Sequence, residues 1–166
     1  GKSTVARAIS QAMGWPLLTL DTVKEAFFVY LGTGDRDYNR LLGKASYQAM
    51  FSLVGDWPQD SKVVIDAWFG FQPFDVLQQH LERAGTCRVR EIWCHAPPEV
   101  IGERYRSRLQ QRHTGHLGAD YVPELITLAA AAKPLGQWPL HRVDTTQPLD
   151  LDAMRAWLAV QSNLDM

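Results

Sequence analysis

Cysteine is scarce in this chain, with only Cys87 and Cys94 among 166 residues. Both fall in one strand-like run, where seven extended residues separate them by roughly 23 Å, so they cannot pair with each other there. Two thiols without a framework exclude a disulfide-stapled scaffold. They suit a reducing, cytoplasmic setting in which both act as small buried apolar groups. Excess charge is also missing: 17 Lys and Arg stand against 18 Asp and Glu, for a net charge of −1. No general field captures a polyanion, so duplex nucleic acid is not an expected partner and any cationic function must be local. No apolar run is long enough for a membrane-spanning helix. Internal repeats and low-complexity linkers are absent as well. What is present is 46% hydrophobic and 21% charged, which describes one ordinary globular domain over residues 1–166, expected to act as a monomer.

Helical and strand-like patterns alternate along the chain. The spacing predicts helices at about 3–13, 22–31, 39–54, 73–84, 98–112, 122–133 and 150–160, and strands at 17–20, 62–66, 87–94 and 140–144. That alternation indicates an α/β domain with a mostly parallel sheet. The apolar runs Leu17-Leu18-Thr19-Leu20 and Val63-Val64-Ile65 suit strands covered on both faces. Asn39 is the expected cap of the 39–54 helix, and Pro73 suits the first turn of the next.

The chain opens with Gly1-Lys2-Ser3-Thr4 followed by Val5, Ala8, Ile9 and Ala12 on one helical face. This reads as the second half of a Walker A loop, G-x-x-x-x-G-K-[ST], with its first half before Gly1. The chemistry explains the residues. Gly1 lets backbone N–H groups approach phosphate oxygens, Lys2 reaches the β- and γ-phosphates, and the Ser3 hydroxyl ligates Mg²⁺. The helix that starts here adds its positive N-terminal dipole.

Two acids follow strands: Asp21 after 17–20 and Asp66 after 62–66. Ligands of open parallel sheets bind beyond the carboxyl ends of the strands, so both acids are expected to face the phosphate loop. Asp21 is placed to accept the proton of an attacking hydroxyl, and Asp66 to hold the water shell of Mg²⁺ or orient the substrate. The plainer readings are a helix cap for Asp21, where Thr22-Val23-Lys24-Glu25 also matches a capping box, and a turn-forming acid for Asp66.

Arg104, Arg108 and Arg112 fall on one stripe of the predicted 98–112 helix, whose apolar face thereby becomes cationic. A merely solvated face more often lies opposite the apolar stripe, as Arg106 does. Inward arginines suit a lid, about residues 98–121, that closes over nucleotide phosphates. His113 and His116 lack a matching metal-ligand set and read as lid-tip residues. Cys94-His95 is adjacent in sequence only, which does not create the geometry of a nucleophile and its base.

With these residues in view, the chain resembles P-loop kinases of the group that contains zeta toxins, chloramphenicol phosphotransferase, gluconate-type small-molecule kinases and the kinase domain of phage polynucleotide kinase. It is especially similar to the AAA-type ATP-binding proteins near them. The resemblance rests on Gly1-Lys2-Ser3-Thr4, Asp21-Thr22-Val23-Lys24, the strand end at Asp66 and the Arg104–His116 segment, and covers nearly the whole chain. It implies the P-loop nucleoside-triphosphate hydrolase fold with a helical, arginine-rich lid. It further implies ATP and Mg²⁺ as cofactors and transfer of the γ-phosphate to a hydroxyl of a small molecule. Gly1, Lys2, Ser3 and Thr4 would hold nucleotide with Arg108 and Arg112, and Thr146, in the segment Arg142–Pro148, would pass the adenine. Asp21, Lys24 and Asp66 would meet the acceptor, within a pocket built by residues 22–57 that includes Arg36, Tyr38 and Arg40. Lys24 stands where the group's Asp-x-x-Arg motif has arginine, which keeps the charge and removes bidentate recognition. The group's first strand lies between those matched here by 62–66 and by 140–144 or 87–94. Without it, residues 1–166 alone are expected to be unstable and inactive, because both neighbours would carry unpaired backbone groups. Two rival functions remain at this point, a non-catalytic ATP-binding switch and a polynucleotide 5′-hydroxyl kinase.

Overall fold

Helices and short parallel strands alternate in a computed structural model that describes residues 1–86 and 88–163. Cys87, expected to begin a strand, lies outside the described residues. The elements are α1 (Lys2–Met13), β1 (Leu17–Thr19), α2 (Leu20–Leu31), α3 (Arg36–Gly55), β2 (Val64–Asp66), α4 (Phe74–Arg83), β3 (Glu91–His95), α5 (Pro98–Ser107), α6 (Val122–Ala131), β4 (Leu140–Asp144) and α7 (Leu151–Asn163). β1 pairs with β2 in parallel, Leu18 opposite Ile65, and β3 pairs with β4 in parallel, Trp93 opposite Arg142. The expected parallel α/β architecture is therefore present as two two-stranded ladders.

The ladders are held together by α1, which packs on β1, β2 and β3. Its Val5 and Ile9 join Val143 of β4 and Met154 and Leu158 of α7 in one apolar cluster. A second cluster gathers Tyr47, Met50 and Phe51 of α3 with Ala67 and Leu77. α1 stops where Gly14 turns into the left-handed region at φ 67° and returns its N–H to Ser10 O, a conformation glycine adopts without a Cβ penalty. An open cleft of about 2120 Å³ separates the ladders, lined along its length by Val64 and Ile65 of β2 and by Ile92 and Cys94 of β3. No ladder joins β2 to β3 among the described residues, and the cleft lies between the two strands where the sequence reading sets the group's first strand.

The strand expected over 87–94 is observed over Glu91–His95, and two helix boundaries differ from the sequence expectation for identifiable reasons. The helix expected over 98–112 ends at Ser107. The Arg104 carbonyl, the helical acceptor for Arg108 N–H, instead receives Ser107 Oγ at 3.1 Å and Arg108 Nε at 2.9 Å. Side-chain donors have replaced the backbone one, and the Arg108 N–H turns to Tyr105 O at 3.2 Å. A single 3₁₀ turn over Leu109–Gln111 follows, and Arg112 is extended. The second difference is at α3, whose cap is Asp35, its carboxylate accepting from Tyr38 N–H at 2.9 Å. Asn39, the expected cap, lies inside the helix and is used elsewhere.

Candidate active site

α1 begins at Lys2 with Gly1 as its cap, without a side-chain capping bond and without an acid in its first turn. The Val5 N–H already closes on Gly1 O at 3.0 Å, while the amides of the first turn have no helical acceptor. The helix start therefore presents donors and a positive dipole end to the cleft, which Gly1, Lys2, Ser3 and Thr4 line. Gly1 has a steric role too. A Cβ there would collide with the Thr145 side chain just past β4.

The Lys2 ammonium forms an ion pair with the Asp66 carboxylate. Asp66 is the last residue of β2 and only 4% exposed, so the lysine holds a buried charge at the strand's carboxyl end. Cys94 lies nearby on β3. Burial pushes its thiol up to about 11, which leaves it protonated and a poor nucleophile beside His95.

Asp21 occupies the first turn of α2, and the cap is Thr19, whose hydroxyl accepts from Thr22 N–H at 3.1 Å. The cap reading of Asp21 is thereby corrected: its carboxylate is free of that duty and meets the guanidinium of Arg112 at 3.2 Å. Glu25, the other end of the expected capping box, bonds His116 instead, at 2.8 Å. Lys24 donates to Asn39 Oδ1 at 2.5 Å and lies 5.6 Å from the Phe28 ring centroid. Burial lowers the pKa of Lys24, opposed by the charge of Asp21 and reinforced by that of Arg112.

The three arginines part company where α5 ends. Arg104 donates from both terminal nitrogens to Thr145, at 2.9 Å to its hydroxyl and 2.9 Å to its carbonyl. Arg108 bonds back to its own helix through Nε. Both lie near Gly1 at the start of α1. Arg112 crosses to Asp21, its guanidinium 5.0 Å from the centroid of Tyr105. The single stripe expected from helical spacing is therefore replaced by three separate positions, two at the phosphate-loop side and one at the acid of α2.

Other expected residues take other places. Arg36 pairs with Glu124 on α6, Tyr38 OH donates to Leu31 O at 3.1 Å, and Arg40 pairs with Asp37 at 3.1 Å on the surface. Of this group Lys24 alone sits beside Asp21. Thr146 donates its N–H and hydroxyl to Asp144 Oδ1 at 2.8 and 2.7 Å, forming the turn that leaves β4. Sequence reasoning missed Tyr105, Thr145, Phe28 and Asn39. An aromatic on an apolar helix face reads as core, and nothing in the residue order reveals that Thr145 would meet Arg104 across 41 positions.

No protein-family model matches the chain, and no curated protein matches it in sequence. Solved structures similar to it include two kinases. One is a "putative kinase" of Chloroflexus aurantiacus J-10-fl, at 26% identity over 96% of this chain and 90% of that one, with a TM-score of 0.77. The other is a gluconokinase of Sinorhizobium meliloti 1021, at 20% identity over 98% of this chain and 91% of that one, with a TM-score of 0.56. The helix-flanked parallel strands, with a Gly-Lys-Ser helix start at one end of the cleft, have the fold of the P-loop nucleoside triphosphatases.

Proposed function

We propose that this protein is an ATP-dependent phosphotransferase acting on a hydroxyl of a small molecule, in the group that includes zeta toxins, chloramphenicol phosphotransferase and polynucleotide kinase. The observation that carries this reading is the convergence of Lys2, Asp66, Asp21 and Arg112 on one cleft beyond the carboxyl ends of β1 and β2. Kinship in fold with the Chloroflexus protein and the gluconokinase supports the class of reaction. The donor set suits nucleotide phosphates: unsatisfied helix-start amides, no competing acid in the first turn and three cations close by.

In this reading the amides of residues 2–4 and the Lys2 ammonium hold the β- and γ-phosphates. Arg108 contributes a further cation, and the segment through Thr146 passes the base. Ser3 and Asp66 would hold Mg²⁺, which would offset the charge of the phosphates. Bound Mg²⁺–ATP supplies an electrophilic γ-phosphoryl group with ADP as leaving group. The acceptor oxygen bonds to that phosphorus as its own proton passes to Asp21, and Arg112 offsets the charge that gathers between them. Lys24, half-buried beside Asp21, positions the acceptor. Arg104 acts one step removed, by fixing Thr145 against Gly1. Residues 1–166 form one such domain, with the lid over 98–121.

The test is transfer of labelled γ-phosphate, by the protein carrying the residues that precede Gly1, to a pool of hydroxylated metabolites, with product identification. Phosphorylated small molecules support the kinase. Nucleotide binding without transfer or hydrolysis would leave a switch, and transfer only to single-stranded ends would make the protein a polynucleotide kinase.

A further inference from the structure

Immediately after Arg112 the chain folds back on itself and seats on α2. His113 stacks on the Phe28 ring at 5.1 Å and 18°, and His116 meets the same ring edge-on at 5.5 Å and 89°. Gly115 passes between them so closely that a Cβ would lie 2.7 Å from Phe28 Cγ. Phe28 is 3% exposed, so the turn has sealed the ring. Polar bonds close the same contact. Glu25 accepts from His116, Asn39 Nδ2 donates to Gly115 O, the Gly115 N–H donates to His113 Nδ1 at 3.1 Å, and Tyr105 OH donates to Leu117 O at 2.6 Å.

We infer that this clasp of residues 113–117 on Phe28, Glu25 and Asn39 is the device that positions Arg112 on Asp21. Its members are positioning residues for the reaction proposed above, on which the inference rests. Arg112 has an extended backbone after an isolated 3₁₀ turn, so the ladder of α5 does not fix its direction. Its direction is fixed from both sides, by the Tyr105 face and by the seated turn that follows at once. Phe28 supplies the apolar seat, and Glu25 and Asn39 set the turn's angle on α2 and α3. Asn39 ties the acceptor side to the same device, since its Oδ1 also receives Lys24. Lys24 and Arg112, the two cations beside Asp21, are thereby located by one cluster.

Gly115 allows a test that deletes no polar group. It is not among the glycines at positive φ, so its backbone accepts alanine, and the three atoms nearest the added methyl all belong to the Phe28 ring. Gly115→Ala is expected to lift the turn and lower kcat by about 10- to 10²-fold, the scale set by misplacing a catalytic group by an ångström, with little change in KM for ATP. Two readouts do not need activity: hydrogen exchange of the 112–118 amides and the rate of tryptic cleavage after Arg112. Both should rise in Gly115→Ala. Unchanged exchange and cleavage in Gly115→Ala would overturn the clasp. Loosening with undiminished transfer would overturn its positioning role. If the protein with the first half of the phosphate loop in place before Gly1 transfers no phosphate at all, the kinase reading fails, and the clasp is then judged on exchange and cleavage alone.

Discussion

Replacing Lys2 by methionine tests how the phosphate-loop lysine and the β2 acid depend on each other. Lys2 is proposed above as a nucleotide contact, and it also neutralises a carboxylate whose side chain is 3% exposed. Removing one partner of a buried ion pair typically costs ~3–5 kcal/mol, because the remaining charge is left unpaired in a poorly solvated place. The Lys2 side chain is 45% exposed, so water partly replaces it, and the expected loss is about 2–3 kcal/mol. Asp66→Asn leaves a neutral amide and an ammonium that reaches solvent, so its cost should be smaller, about 1–2 kcal/mol. The double variant then loses less than the sum, with a coupling of about 1–2 kcal/mol, since the unpaired charge is gone. Urea midpoints at constant m-value read all four corners of the cycle. Additive losses, or a Lys2→Met cost under about 0.5 kcal/mol, would put the pair among ordinary exposed ion pairs and refute the argument.

Asp21→Asn should leave nucleotide affinity nearly unchanged and lower transfer by about 10²–10⁴-fold; equal turnover by both proteins would remove Asp21 from the mechanism. Gly102→Ala places a methyl 2.7 Å from Ile126 Cδ1 between α5 and α6. The overpacking should outweigh the gain in helix propensity and destabilise by about 1 kcal/mol, with Ile126→Val, which removes Cδ1 but keeps Cγ1, restoring part of it. His116 has its folded pKa lowered from 6.5, chiefly by burial and against the pull of Glu25. A lowered base binds protons more readily when unfolded, so its contribution is whole above pH 6.5 and is lost as pH falls through the folded value. Urea midpoints should decline from pH 7 to 5, and decline less in His116→Gln. Cys94, pushed up to about 11 from 9.0, should be alkylated about 10²-fold more slowly at pH 8 than an unshifted thiol, measured in a Cys87→Ser background.

The broad fold was legible because period and punctuation agree. Apolar runs of four and three residues at 17–20 and 63–65 sit between amphipathic helical spans, and β1 and β2 fall inside or beside them. Asp66 could be placed because a strand's carboxyl end has a fixed meaning in a parallel sheet. The immediate partners of these residues were not legible. The pairing of Lys2 with Asp66 spans 64 positions, and that of Arg112 with Asp21 spans 91. Local choices between equivalent cap residues were also ambiguous. Asp35 and Asn39 are both good caps, and Asp35 was taken because Asn39 is needed four residues later to join Lys24 to Gly115.

The arginine segment shows where pattern reading fails in a useful way. A spacing of four puts Arg104, Arg108 and Arg112 on one face only while the helix lasts. Whether it lasts depends on a competition no periodicity records, here the Ser107 hydroxyl and the Arg108 side chain taking the Arg104 carbonyl that the next turn required. Once the helix stops at Ser107, the same three residues acquire different reaches. Arg104 stays in register with the β4 exit, Arg108 caps its own helix, and Arg112 is released to cross to α2. A continuous helix would have kept all three cations on one face. The break lets cations serve the phosphate-loop side and Asp21 at once, and it transfers control of Arg112 from helix geometry to the turn that seats on Phe28. Replacing Ser107 with alanine removes one of the two competing donors. It should lengthen α5 and draw Arg112 away from Asp21, and faster tryptic cleavage after Arg112 than in the unaltered chain is the outcome that agrees. Cleavage at an unchanged rate would mean that the Arg108 side chain alone holds the break.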